Sequence, residues 1–99
     1  MEPPYYSVIF TSILKENHEG YSEMANKMEQ LAMEQPGYLG FESAREEIGL
    51  SISYWKDLES IQSWKKDTEH LLAQKLGKEK WYKYYKIRIA RVERDYSNE

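Results

Sequence analysis

The residues best suited to chemistry cluster in one segment, SYWKDLESIQSWKKDTEH, which spans residues 53–70. Trp55 and Trp64 supply large flat surfaces of the kind that wall a pocket for an aromatic ring. His70 is a side chain that exchanges protons near neutral pH and is therefore a candidate general base. The segment reads either as an active-site wall or as aromatic core packing.

Arginines near the C-terminus offer a second kind of chemistry. Arg88, Arg91 and Arg94 stand among apolar residues of a β-prone run. A solvated or salt-bridged arginine is the usual explanation for such a pattern. An arginine held inside the protein would instead stabilise an anion, so Arg88 is a candidate anion stabiliser.

Other site chemistries lack the residues that they need. The chain has no cysteine and only two histidines, His18 and His70, which are too few for a conventional zinc or facial-triad iron site without carboxylate help. No glycine-rich phosphate loop or nucleophile elbow occurs. The sequence therefore predicts no metal site.

Length and charge restrict the class of protein. The chain has 99 residues, 14 basic and 17 acidic, for a net charge of −3, which does not favour a nucleic-acid binder. No stretch is apolar enough for a membrane span or a signal peptide. We expect one cytoplasmic domain over residues 1–99.

The first half of the chain predicts a strand, a helix and a second strand. Residues 5–14 are rich in β-branched and aromatic types without a breaker. From Gly20 the apolar residues recur at helical spacing, with Asn17 as the expected N-cap and Pro36-Gly37 as the stop. The run YLGFESARE then begins a hairpin.

The second half predicts a strand, a helix and a last strand. GLSISYWK forms the other arm of the hairpin, Asp57 caps a helix that Gly77 ends, and residues 81–94 form the last strand. The order βαββαβ indicates an α+β, ferredoxin-like fold. Its four-stranded antiparallel sheet carries two helices on one face.

Both faces of the predicted sheet are apolar. In the first strand Tyr6, Val8 and Phe10 alternate with the equally apolar residues Tyr5, Ile9 and Ile13. Because two helices cover only one face, the other would remain exposed in a monomer. We therefore predict a homodimer formed by sheet-to-sheet packing.

Several segments resemble the antibiotic biosynthesis monooxygenase family. They are YSVIFTS, ANKMEQLAMEQPGYLGFESAR, SYWKDLESIQSWKKDTEH and WYKYYKIRIARVER, which together cover about residues 5–94. The resemblance implies a dimeric α+β barrel. The family contains cofactor-independent oxygenases of polyphenolic rings, haem-degrading oxygenases and members without an established activity, so it implies the fold better than the reaction.

The same resemblance implies a site between the sheet and the helices. Trp64 matches the family's tryptophan on the second helix, and Tyr54 would form a second wall for a substrate ring. Thr11 or Ser12 stands where the haem-degrading branch has an asparagine. Gln74 stands where that branch has its ligand histidine, which argues against haem although haem degradation stays as an alternative.

His70 has two predicted orientations. On an uninterrupted helix it would point about 180° from Ile61 and into solvent. A histidine is frequent in the broader family just after a break in this helix, and a break near Lys66 would turn His70 toward the pocket. Trp55 is expected at an edge or interface. The cavity or the dimer seam, preferably the seam, is expected to hold Trp81, Tyr82, Tyr84 and Tyr85.

The resemblance, together with the chemistry of these residues, implies two possible functions. The first is a cofactor-independent monooxygenase that acts on an aromatic or polyphenolic substrate, with His70 and Arg88 as catalytic groups. The second is a dimer without catalytic activity whose cavity binds a small aromatic ligand or serves only structure. The contents of the cavity distinguish them.

Overall fold

The structure, a computed structural model, describes the backbone of residues 1–75 and 80–98 and the side chains of residues 1–68 and 80–98. Its element order confirms the predicted βαββαβ arrangement. The elements are β1 (Tyr5–Leu14), α1 (Tyr21–Glu34), β2 (Tyr38–Arg45), β3 (Gly49–Trp55), α2 (Leu58–Lys75) and β4 (Tyr82–Val92). Each strand lies within two residues of its predicted bounds.

The four strands form one antiparallel sheet in the order β2-β3-β1-β4. This confirms the ferredoxin-like α+β fold. In register, Val8 lies opposite Ser53 and Ile89, on the face that the two helices cover, here called the inner face. Its neighbour Ile9 lies opposite Ile52 on the other side, here called the outer face. Alternation along each strand then assigns every side chain to one face.

The start of α1 differs from the prediction. Gly20, not Asn17, occupies the N-cap, with a left-handed φ of 87° and no side-chain cap. The predicted cap was wrong because a tight turn precedes the helix, in which the Tyr21 amide donates to the His18 carbonyl at 3.1 Å. Glycine adopts this φ without the steric cost that a side chain would add.

The link between α1 and β2 fits closely against the start of α2. Gly37 has a φ of 88°, and a Cβ atom there would overlap the side chain of Ser60. Asp57 accepts hydrogen bonds from the Ser60 amide at 2.8 Å and from its hydroxyl at 2.6 Å, which confirms Asp57 as the cap of α2. These two bonds lower the pKa of Asp57.

The second helix is continuous from Leu58 to Lys75 and has no break near Lys66. Its predicted end at Gly77 lies outside the described residues. Of the helices described, none is long and apolar enough to span a membrane.

The core lies where the helices meet the middle of the sheet. Buried Val8, Ala32, Trp55 and Ile61 form it. The expectation that Trp55 lies at an edge or interface was wrong, because the register places it opposite Tyr6 on the inner face, where it is fully buried. Its indole N–H donates to Ser53 Oγ at 2.8 Å, which satisfies its only polar group.

Candidate active site

A cavity of about 710 Å³ lies between the inner face and the two helices. α1 packs on β2 and α2 packs on β3, so the β1–β4 side of the inner face is less covered. Ile87 and Ile89 line the cavity from β4 and are 48% and 51% exposed. They therefore form an open mouth on that side.

Aromatic rings form the floor of the cavity. Phe10 on β1 lies edge-on to Tyr82, with ring centroids 5.3 Å apart, and stacks on Tyr85 at 5.8 Å. Tyr82 and Tyr85 in turn lie 5.7 Å apart. These mutually tilted rings present apolar surface together with tyrosine hydroxyls, which suits an aromatic ligand.

Trp64 forms the facing wall. It lines the cavity from α2, and its ring lies 5.1 Å from that of Trp55. Its Nε1 is buried and has no hydrogen-bond partner among the described residues. Trp64 is thus both a core neighbour and a cavity wall, and its indole carries an unused donor.

A polar cluster closes one end of the cavity. The Arg45 guanidinium donates to Ser12 Oγ, to the Ser12 carbonyl at 3.4 Å and to Tyr21 Oη at 3.3 Å. Arg45 also lies over the Tyr21 ring, 5.3 Å from its centroid. Burial, together with the neighbouring Tyr21, raises the pKa of Tyr82.

Two of the predicted ligand-binding residues lie at the cavity. Trp64 lines it directly. Ser12 is fully buried on the inner face and holds Arg45, which does line it. Ser12 therefore contributes through Arg45.

The structure does not bring Thr11, Tyr54 and Arg88 to the cavity. In register, Thr11 lies opposite Leu50, Tyr54 opposite Ser7, and Arg88 opposite Ile9, and all of these positions are on the outer face. Tyr54 donates to Glu42 Oε1 at 2.8 Å. Burial and this hydrogen bond raise the pKa of Tyr54 to about 12.

The backbones of His70 and Gln74 are part of α2, and their side chains are outside the described part of the chain. Among the side chains that are described, no cluster of three or more His, Asp or Glu residues is arranged to hold a metal ion.

Sequence reasoning missed Arg45 as a cavity residue. It stands at the end of β2 beside the hairpin turn, where strand alternation gives little guidance. Gly49 leaves the space that the Arg45 guanidinium occupies, but only the hairpin register shows that the two residues lie opposite each other. The aromatic residues near the C-terminus lie in two different places. Tyr82 and Tyr85 line the cavity, whereas Trp81 is buried and donates a hydrogen bond to the Glu19 carbonyl at 2.8 Å.

The sequence of the chain matches the model of a known protein family. Residues 4–76 match the family model described as antibiotic biosynthesis monooxygenase. The chain belongs to the antibiotic biosynthesis monooxygenase family. This confirms the resemblance, and the match spans the cavity walls contributed by β1, both helices and the hairpin.

Several known proteins are similar to this monooxygenase-family chain in sequence or in fold. The protein YqjZ of Bacillus subtilis, described as uncharacterized, is 47% identical over 95 residues, which are 94% of this chain and 83% of YqjZ. PA3566 from Pseudomonas aeruginosa has a TM-score of 0.72 at 18% identity, covering 97% of this chain and 99% of its own. A point mutant of SnoaB from Streptomyces nogalater, a cofactor-independent oxygenase, has a TM-score of 0.77 at 11% identity, with coverage of 97% and 99%. At such identities the two structures show the shared fold alone.

Proposed function

We propose that the protein is a cofactor-independent monooxygenase that oxidises a small electron-rich aromatic substrate. The observation that carries the proposal is the cavity of about 710 Å³, with Trp64 as one wall and a floor of Phe10, Tyr82 and Tyr85. Membership of the monooxygenase family and the fold shared with SnoaB support it.

In the proposed reaction the substrate supplies its own electrons. A phenol with a free para carbon loses its proton, and the carbanion-like para carbon transfers an electron to O₂. The two radicals combine to a peroxide, which takes up a proton and then loses water to give a quinone. One oxygen atom enters the product and the other leaves as water.

The protein would bind the ring, favour the ionised phenol and exclude water. Trp64 and the aromatic floor are the proposed ring-binding groups. His70 is kept as the proposed base although α2 lacks the break near Lys66 that would turn it toward the cavity, and substitution of His70 tests this role. Arg88 is not included in the proposed site, since its strand position is on the outer face.

The test uses 1,5-dihydroxynaphthalene, which the reaction would convert to a coloured 5-hydroxy-1,4-naphthoquinone. We expect equal rates of O₂ uptake and quinone formation, above the uncatalysed rate. His70→Ala should reduce kcat by about 10²-fold or more if His70 is the base. Uptake that does not exceed the uncatalysed rate would contradict the proposal for this substrate class.

The second candidate is a ligand-binding dimer without turnover. The contents of the cavity favour it, because aromatic and aliphatic side chains make up most of the lining and the raised pKa of Tyr82 makes that phenol unsuited to proton transfer near neutral pH. This candidate predicts that aromatic molecules bind but that neither O₂ nor ligand is consumed.

We further propose that two chains pair through their outer faces. Leu50 and Tyr84 lie on that face and are 43% and 46% exposed. The face also carries Glu42 at its β2 edge and Arg88 at its β4 edge, so a two-fold arrangement brings opposite charges of two copies together.

A further inference from the structure

Arg45 is a cation inside the cavity without a carboxylate partner among the described residues. The groups that hold it are neutral: the Ser12 hydroxyl, the Ser12 carbonyl and the Tyr21 hydroxyl. The turn that follows β2 carries Glu46 and Glu47, whose side chains are exposed to solvent. A guanidinium has five N–H groups, and these bonds use three of them.

Gly49 provides the space for this guanidinium. It lies opposite Arg45 in the hairpin register, and a Cβ atom on Gly49 would overlap the Arg45 Cζ and Nη2 atoms. The guanidinium therefore lies against the backbone of β3 at Gly49, and its Cζ atom is 5.3 Å from the centroid of the Tyr21 ring. Backbone, hydroxyls and ring together fix the orientation of the charge, which lowers the entropy cost of binding an anion.

The carboxylate of the cavity lining lies away from Arg45. The lining contains Glu29, which lies two turns beyond Tyr21 on α1 and therefore ~12 Å along the helix from the Arg45 end. Lys65 lines the cavity from α2. The positive charge on the sheet side thus comes from Arg45, at the opposite end from Glu29.

We infer that Arg45 is an anion-binding subsite, and that the ligand of this cavity is an aromatic molecule with an acidic group. The ring would lie against Trp64 and the aromatic floor, and the carboxylate, sulfonate or ionised phenol would reach the unused N–H groups of Arg45. The inference rests on the proposed function, since it assumes that the cavity binds an aromatic ring.

The experiment compares two fluorescent probes with the same ring skeleton. 8-Anilinonaphthalene-1-sulfonate carries an anion, and N-phenyl-1-naphthylamine lacks it. In the full-length protein the two should displace one another. Arg45→Gln should weaken binding of the sulfonate probe by about 10-fold or more, because it removes a hydrogen-bonded charge pair, and should change binding of the neutral probe less than about twofold.

The matched control is Arg94→Gln, which removes an exposed arginine beyond β4. It should leave the affinities for both probes unchanged. An equal loss for both probes in Arg45→Gln, or an unchanged affinity for the sulfonate, would overturn the inference while leaving the aromatic cavity intact. If neither probe binds the wild-type protein, the proposed ring-binding cavity fails and the inference fails with it.

A second measurement does not depend on the folding of Arg45→Gln. In ¹H–¹⁵N spectra of the wild-type protein, the Arg45 Nε–H signal should shift on addition of the sulfonate probe and not of the neutral one. Arg45→Lys identifies that signal by its disappearance. If the Arg45 Nε–H chemical shift does not change with the sulfonate probe, or changes equally with both probes, the anion subsite is contradicted.

Discussion

Trp55 and Trp64 lie with their ring centroids 5.1 Å apart, yet only Trp55 has a hydrogen-bond partner for its indole nitrogen within the described part of the chain. Trp55 is fully buried and bonded to Ser53, whereas Trp64 lines the cavity. Two adjacent residues of one type therefore have different roles, one in the core and one at the site.

The first prediction concerns stability. Trp55→Phe should lower the free energy of unfolding by about 2–3 kcal/mol, because it opens a core cavity and removes the partner of Ser53. Trp64→Phe should cost less than about 1 kcal/mol, because the lost N–H has no bond within the described residues. Urea denaturation of the two variants at one protein concentration measures the difference. Equal losses would show that the two indoles are equivalent.

The second prediction concerns ring binding. Trp64→Ala should weaken binding of N-phenyl-1-naphthylamine by about 5- to 10-fold, since an aromatic contact contributes about 1 kcal/mol beyond its buried area. Trp64→Phe keeps a ring at the wall and should retain most of the affinity. A fluorescence titration provides the comparison. Unchanged binding in Trp64→Ala would place the probe elsewhere.

The third prediction compares two glycines with nearly equal φ. Gly20→Ala should cost about 1 kcal/mol of stability from backbone strain alone, because its nearest neighbour, the Trp81 ring, lies at an ordinary 3.7 Å. Gly37→Ala adds an overlap with Ser60 and should cost about 2–4 kcal/mol. Thermal or urea unfolding checks the order, and a smaller loss for Gly37→Ala would refute it.

The fourth prediction concerns alkaline pH. Burial and the bond to Glu42 raise the pKa of Tyr54 to about 12, whereas an unfolded tyrosine ionises near 10. The unfolded chain therefore loses this proton first, so the stabilisation is complete below pH 10 and is lost as the pH rises toward 12. Tyr54→Phe should reduce that alkaline loss. Its absorbance titration at 295 nm should lack one late-ionising phenol, and an identical titration would exclude the raised pKa.

The fifth prediction tests the proposed outer-face dimer. Leu50→Lys introduces a charge into the apolar outer face and should yield monomers at micromolar concentration. Met33→Lys changes an exposed apolar residue that lies on α1 and not on the outer face, and it should leave the dimer intact. Sedimentation velocity measures both. A dimeric Leu50→Lys variant, or a wild-type monomer, would contradict the arrangement.

Local signals in the sequence predicted the elements well. β1 matches its prediction because its β-branched and aromatic run has no breaker, and Asp57 caps α2 because an acceptor precedes a helical period. Asn17 failed as a cap because a turn competed for the same backbone groups. The alternation along strands was visible, but the face toward the helices was not, since register depends on pairing between distant strands.

That missing register explains the mixed outcome for the site. Consecutive residues of a strand point to opposite faces, so Ser12 contacts Arg45 at the cavity and Thr11 does not. Tyr54 and Arg88 share the outer face for the same reason. Arg45 had no helical or strand period to indicate it. Its position depends on a glycine four residues later, which only the hairpin register brings opposite.

The contact between Arg45 and Gly49 has a consequence for how this sequence can change over time. A side chain at position 49 would remove the space that the guanidinium occupies, so the two positions are not free to vary independently. Relatives that keep arginine at position 45 should keep glycine at 49, and those with a larger residue at 49 should have replaced the arginine. Descendants that have lost both would retain the fold and bind a different class of ligand.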